Sequence, residues 1–193
     1  MRSARPCTQG FFRGVRPTRM HPSRARKEWN GRLARLFCSP IYGRDAHPTL
    51  RPDHVWPGTL KKDLERLTAF LGRLNRSVRH AIEFRHPSWL DAEVFAVLRR
   101  YHAANVALSS QAMPMCLEIT ADFVYVRLHG LEGGATHNYT DRELKPWATF
   151  LQKCTERGVP GFVYFNNDMN TLAPLNALRL MELLGSPAVP AQQ

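Results

Sequence analysis

Apolar side chains fall into a repeating pattern only from about residue 60 onward. Leu60, Leu64, Leu67, Leu71 and Leu74 recur at helical spacing and mark one face of a helix. Ala81–Arg85 reads as a strand. Ser88, three residues before Asp91, resembles a capping-box start for a helix to about Tyr101, with Val94, Phe95, Val97 and Leu98 on its buried face. Asn105–Ser109 and Phe123–Leu128 read as strands. Thr140 and Glu143 open a second capping box for a helix to about Arg157, with Pro146 expected to distort its first turns and Gly158 to stop it. Phe162–Phe165 is a further strand, and Pro174 suits the first turn of a last helix ending before Gly185. The order is α-β-α-β-β-α-β-α. It predicts an α/β fold with about four parallel strands under covering helices, and sites at the C-terminal strand ends.

The strands carry an unusual polar face. Side chains alternate along a strand, so Ile82 and Phe84 oppose Glu83 and Arg85. Val124, Val126 and Leu128 oppose Tyr125, Arg127 and His129, and Val163 and Phe165 oppose Tyr164 and Asn166. Strands buried in a parallel sheet are ordinarily apolar on both faces. Glu and Arg are rarely buried without partners. The polar face is therefore expected to be wet, paired or ligand-binding. The bland readings are a self-neutralising ion network, a satisfied core histidine at His129, turn and capping roles for Asn166, Asn167 and Asp168, and packing for Trp89 and Trp147.

Residues 1–56 lack such patterning. They are rich in Arg, Pro, Gly and Ser, and read as a basic, mostly disordered leader with a short helix open to residues 24–37. Residues 1–62 hold 14 basic and 3 acidic side chains, and residues 63–193 hold 13 of each. The net charge of +11 thus belongs to the first third and implies nothing about the remainder. A transit-type segment and a nucleic-acid-binding arm are the functional alternatives for it. Cys7, Cys38, Cys116 and Cys154 form no C-x-x-C pair, which argues against a disulfide framework or zinc knuckle and for reduced thiols in a cytoplasmic protein. No apolar run is long enough for a membrane span.

Three ordered motifs carry a family resemblance: Ile82-Glu83-Phe84-Arg85-His86-Pro87-Ser88-Trp89, Thr120 to Gly130, and Tyr164-Phe165-Asn166-Asn167-Asp168 with Asn176-Ala177 downstream. With Tyr139 and Trp147 between them, residues 57–185 resemble the YecE-like family (domain of unknown function 72). The resemblance implies a TIM-type barrel, of which this stretch would supply the last four strands, and it brings no settled activity. It implies pocket positions at Glu83, Arg85, Tyr125, Arg127, His129, Asn166, Asn167 and Asp168. The family's Gly-Thr-Ser-Gly-Trp-like first strand and three further strands have no counterpart in this sequence. His54-Val55-Trp56-Pro57 stands where the fourth strand would end in a Pro-Pro turn, and Ser109-Ser110 where an Asp is usual. A partial barrel would expose two sheet edges and invite self-association. Residues 1–56 would then be a shifted or mis-started counterpart of the missing half, and 186–193 a loose tail.

These readings make an enzyme-type pocket the leading expectation. Glu83 or Asp168 would act as general base and His129 as acid/base. Arg85 and Arg127 would clamp the anion of a phosphorylated or polyhydroxy ligand, with Tyr125, Tyr164, Asn166 and Asn167 completing the wall. Hydrolase- or isomerase-like chemistry fits such a set. No cofactor is implied. A divalent metal on Glu83, His129 and Asp168 is the weaker alternative, since no two-histidine helix motif or close carboxylate pair supports it. Nucleic-acid binding through the leader and the arginine-lined pocket, and a fragment without activity, are the competing readings.

Overall fold

The computed structural model describes residues 36–38 and 50–185, with side chains from His54 onward. Its strands are β1 (Leu36–Cys38), β2 (Leu50–Trp56), β3 (Arg79–Phe84), β4 (Ala104–Ser109), β5 (Val124–Leu128) and β6 (Gly161–Phe165). They form one sheet in the order β1-β6-β5-β4-β3-β2, with every pairing parallel. From β2 to β6, chain neighbours are also sheet neighbours, as in a TIM-type barrel. Among the described residues the outer sides of β1 and β2 meet no other strand.

The four expected strands are present, and two more flank them. β2 lies inside the stretch read as a leader and ends at Trp56, where the resemblance put the end of a fourth strand. Pro52 hides it from pattern reading, because proline demotes a strand in sequence. The structure accommodates Pro52 with a register shift between Arg51 and His54 at the sheet edge. β1 likewise takes Leu36 and Phe37 out of the short helix considered for 24–37. The remainder of that helix, the disorder, transit and nucleic-acid expectations for 1–35 and 39–49, and the tail 186–193 lie outside the described residues.

Helices α1 (Leu64–Gly72), α2 (Ala92–Arg100), α3 (Asp141–Glu156) and α4 (Leu172–Leu183) cover the convex face. Asp63 caps α1 by accepting from the Arg66 N–H at 2.9 Å, so the helix begins after Leu60. Leu67 and Leu71 then face Ile82 and Phe84. α2 starts at Asp91 rather than Ser88. Ser88 lies in a single 3₁₀ turn, Pro87–Trp89, where its hydroxyl accepts from Lys62 N–H at 2.8 Å. That turn drives Trp89 under the sheet, stacked on Phe84 at 4.8 Å and edge-on to Trp56. Its indole N–H donates to Leu60 O at 2.7 Å.

α3 opens with the expected Thr140/Glu143 capping box and runs through Pro146 as one helix. It packs Leu144, Trp147 and Leu151 with α4's Leu180 against Val126, Leu128, Val163 and Phe165. No helix lies between β4 and β5. There the Thr120 hydroxyl accepts from Asn105 N–H and donates to Ala103 O, both at 2.7 Å. No helix among the described residues is long and apolar enough to cross a membrane.

Candidate functional site

The period-two alternation holds at the C-terminal strand ends. Leu108 and Tyr164 are in register with Arg127 on either side, so the concave face carries Glu83, Arg127, His129 and Asn166 toward one mouth. Below them Tyr125 and Tyr164 stack at 4.8 Å, above the apolar floor of Ala81, Ala104, Val106, Phe123 and Phe162.

Glu83 is the centre of this cluster. Its side chain is 1% exposed. Arg85 Nε donates to Oε1 at 2.8 Å, and Arg127 Nη1 donates to Oε2 at 2.7 Å. His129 Nε2 lies 3.6 Å from Oε1, beyond a direct hydrogen bond, and this buried nitrogen has no hydrogen-bond partner. Arg127 Nε donates onward to Asn166 Oδ1 at 2.8 Å. Burial alone would push the Glu83 carboxyl up. The His129 imidazole, the Arg127 charge and the Arg85 hydrogen bond overcome it and hold the group at about 2.

That arrangement changes the role open to Glu83. A general base at neutral pH works best with a pKa near the operating pH. A carboxylate held at about 2, with both oxygens taken by guanidinium, has too little proton affinity. Glu83 instead accepts a hydrogen bond from each of the two arginines. With one carboxylate and two guanidiniums, the cluster keeps an excess positive charge. A cleft of about 210 Å³ opens beside it, lined by Arg85, Leu108, Ser110, Ala112, Met113 and His129. A second cavity, of about 410 Å³, lies at the other end of the strands, away from these groups.

The remaining expected residues are placed differently. Asn167 is fully buried and belongs to a scaffold. Its Nδ2 donates to His137 O and to Asn176 Oδ1, each at 2.7 Å, and Asn176 in turn donates to Asn138 Oδ1 at 2.8 Å. Asp168 precedes the 3₁₀ turn Met169–Thr171, makes no side-chain cap and joins none of the cluster's hydrogen bonds. The trio Glu83, His129 and Asp168 is not assembled as a metal site, and among the described residues no three His, Cys, Asp or Glu side chains converge as one. Trp89 and Trp147 are buried packing residues.

Sequence reasoning named Tyr139, Gly130 and Ser109 but gave them no part in holding the mouth loop. Tyr139 Oη accepts from Gly130 N–H at 2.8 Å and donates to Ser109 Oγ at 2.9 Å. Burial raises its pKa and keeps the hydroxyl neutral. Gly130 has φ +89°, and a β-carbon there would stand 1.9 Å from Gly134 O. The loop reaches α3, where His137 Nε2 lies 3.4 Å from Glu143 Oε2. Ser110, singled out in sequence only as standing where the family usually has an Asp, and Met113, which carries no signal there, both line the cleft.

The family described as protein of unknown function DUF72 matches residues 52–193. The chain belongs to the DUF72 family. A DUF72 family protein from Thermotoga maritima is 26% identical, with a TM-score of 0.61, covering 68% of this chain and 56% of that one. A DUF72 family protein from Enterococcus faecalis, solved in two crystal structures, shares the fold at 17% and 18% identity, with TM-scores of 0.58 and 0.56. These two matches cover 72% and 68% of this chain. The chain spans 56–61% of the length of these solved structures. No curated protein matches the chain. DUF72 membership thus gives family and barrel-type architecture, and leaves the chemistry of the mouth to be argued from its residues.

Proposed function

We propose that the mouth of this DUF72 chain binds a small phosphorylated or carboxylated polyhydroxy molecule. Arg85 and Arg127 receive the anion, and His129 transfers a proton in hydrolase- or isomerase-type chemistry. One observation carries the reading: a single buried carboxylate holds two guanidiniums. Arg85 commits only Nε and Arg127 commits Nε and Nη1, so both keep further N–H donors with no partner among the described residues. Planar forks fixed in this way suit bidentate recognition of phosphate or carboxylate. His129 Nε2, buried and without a hydrogen bond beside that carboxylate, is the group left to move a proton. Asn166 and Ser110 meet hydroxyl groups of the same ligand.

Calorimetric titration with ribose 5-phosphate, inorganic phosphate and ribose tests this. The sugar phosphate should bind more tightly than inorganic phosphate, and ribose least. Arg85→Gln should weaken ribose 5-phosphate about tenfold, the worth of one charge-assisted contact. The Arg85 side chain is 46% exposed, so that variant should fold normally. Unchanged affinity in both Arg85→Gln and Arg127→Lys would overturn the assignment.

A further inference from the structure

A cavity of about 410 Å³ opens at the N-terminal ends of β3 and β4, opposite the mouth. Its size is that of a small-molecule site. Leu71, Leu74, Val78 and Ala103 give it apolar walls. Most of its polar groups are already engaged. Arg79 Nη2 donates to Asp122 Oδ2 at 3.0 Å. His80 is held from both sides, with Nε2 2.8 Å from Asn75 O and Nδ1 3.2 Å from His54 Nε2.

Two lining residues stand apart. Arg76 has no acidic partner among the described residues, and its guanidinium lies 5.4 Å over the ring of Tyr101. α1 and α2 both end near this cavity, and helix C-termini favour cations. Arg99 and Arg100 stand in the last turn of α2, with Arg99 paired to Glu118, and Arg76 lies at the cavity beyond the end of α1, whose last turn carries no basic residue. His102 is the second. It adopts φ +54° just after α2, with its N–H on Arg99 O and the Ala103 N–H on Leu98 O. Glycine fills that left-handed stop without strain, and a β-carbon there is costly. The chain instead places an imidazole there, on the cavity wall.

We propose that this cavity is a second binding site, for an oxyanion carried on a flat apolar body such as an aryl phosphate. Arg76 and His102 donate to the anion. Leu74 and Val78 hold the body. The site is independent of the mouth in position and in residues.

Phenyl phosphate titrated into the ¹⁵N-labelled full chain distinguishes the two sites, because the amides of Ser77 and Ala103 report this cavity and that of Ser110 the mouth. At about 10 mM, a concentration that detects millimolar binding, phenyl phosphate should move Ser77 and Ala103. Inorganic phosphate and benzyl alcohol should each move them less. Arg76→Gln should weaken the effect about fivefold or more, as loss of a charged donor does. His102→Gly should raise the melting temperature of the free protein and still weaken phenyl phosphate. Stationary Ser77 and Ala103 resonances, or an unchanged affinity in either variant, would overturn the proposal. So would a lower melting temperature for His102→Gly, which would make that histidine a structural residue.

Discussion

Arg127 on β5 donates to Glu83 on β3 across the whole width of β4, at 2.7 Å. Strands in a sheet lie about 4.8 Å apart, so the pair bridges roughly twice that distance, which only long side chains span. β4 permits it by presenting Val106 and Leu108 on this face, neither of which competes for the carboxylate. The bond therefore ties β5 to β3 across β4 at the mouth and fixes the orientation of the Arg127 guanidinium.

Breaking that pair from one side should be costly. Arg127→Met leaves the buried Glu83 with only Arg85 and His129 nearby, and should destabilise the chain by about 3 kcal/mol. Glu83→Gln leaves two guanidiniums facing each other and should cost a similar amount. The double variant should recover part of the loss, with a coupling of about 1–3 kcal/mol. Urea denaturation of the four chains measures the cycle. Strict additivity would show that the two residues do not act as a unit.

Acid should dissolve the same cluster. The carboxyl stands at about 2 in the folded chain against an ordinary 4.5, so the folded state prefers the charged form. Its contribution, about 3 kcal/mol by linkage, is complete above pH 4.5 and is lost as pH falls toward 2. Denaturation midpoints followed from pH 6 to pH 2 should fall through that window in the native chain. The decline should be shallower in Glu83→Gln, which has no proton to take up there. Equal slopes in both would place the acid sensitivity elsewhere.

Much of the mouth was legible from alternation alone. Glu83, Arg127, His129 and Asn166 sit on the face that period two assigns them, because a parallel strand leaves no other geometry. What alternation cannot show is which groups neutralise each other. In sequence Glu83 reads either as a base or as a neutralising partner of Arg85 or Arg127, and the choice depends on Arg127 reaching it from a separate strand. Asn167 lies one residue from Asn166 and so points to the other side, where it serves the loop scaffold with Asn176. The strand Leu50–Trp56 was hidden for a different reason. Its pairing is supplied by β3, while its own sequence holds Pro52 and only a short apolar run. Helix boundaries moved wherever two capping residues competed, as Ser88 and Asp91 do before α2.

The mouth loop supplies the last prediction. Gly130 and Gly158 both have positive φ, +89° and +72°, so alanine is strained at either position. At Gly158 a β-carbon meets nothing within 4 Å, and Gly158→Ala should cost only the left-handed penalty, about 1 kcal/mol. At Gly130 the same carbon would collide with Gly134 O at 1.9 Å and His137 Cβ at 2.9 Å, so the loop must move. Movement would also strip the Gly130 N–H from Tyr139 Oη and leave a buried donor without a partner. Gly130→Ala should therefore lose about 3 kcal/mol or more and speed amide exchange throughout residues 130–139. Tyr139→Phe, which removes only the hydroxyl, should speed exchange at Gly130 with a smaller loss of stability. If the two alanine variants were equally stable, the close packing of Gly130 against Gly134 would not be what holds this loop over the mouth.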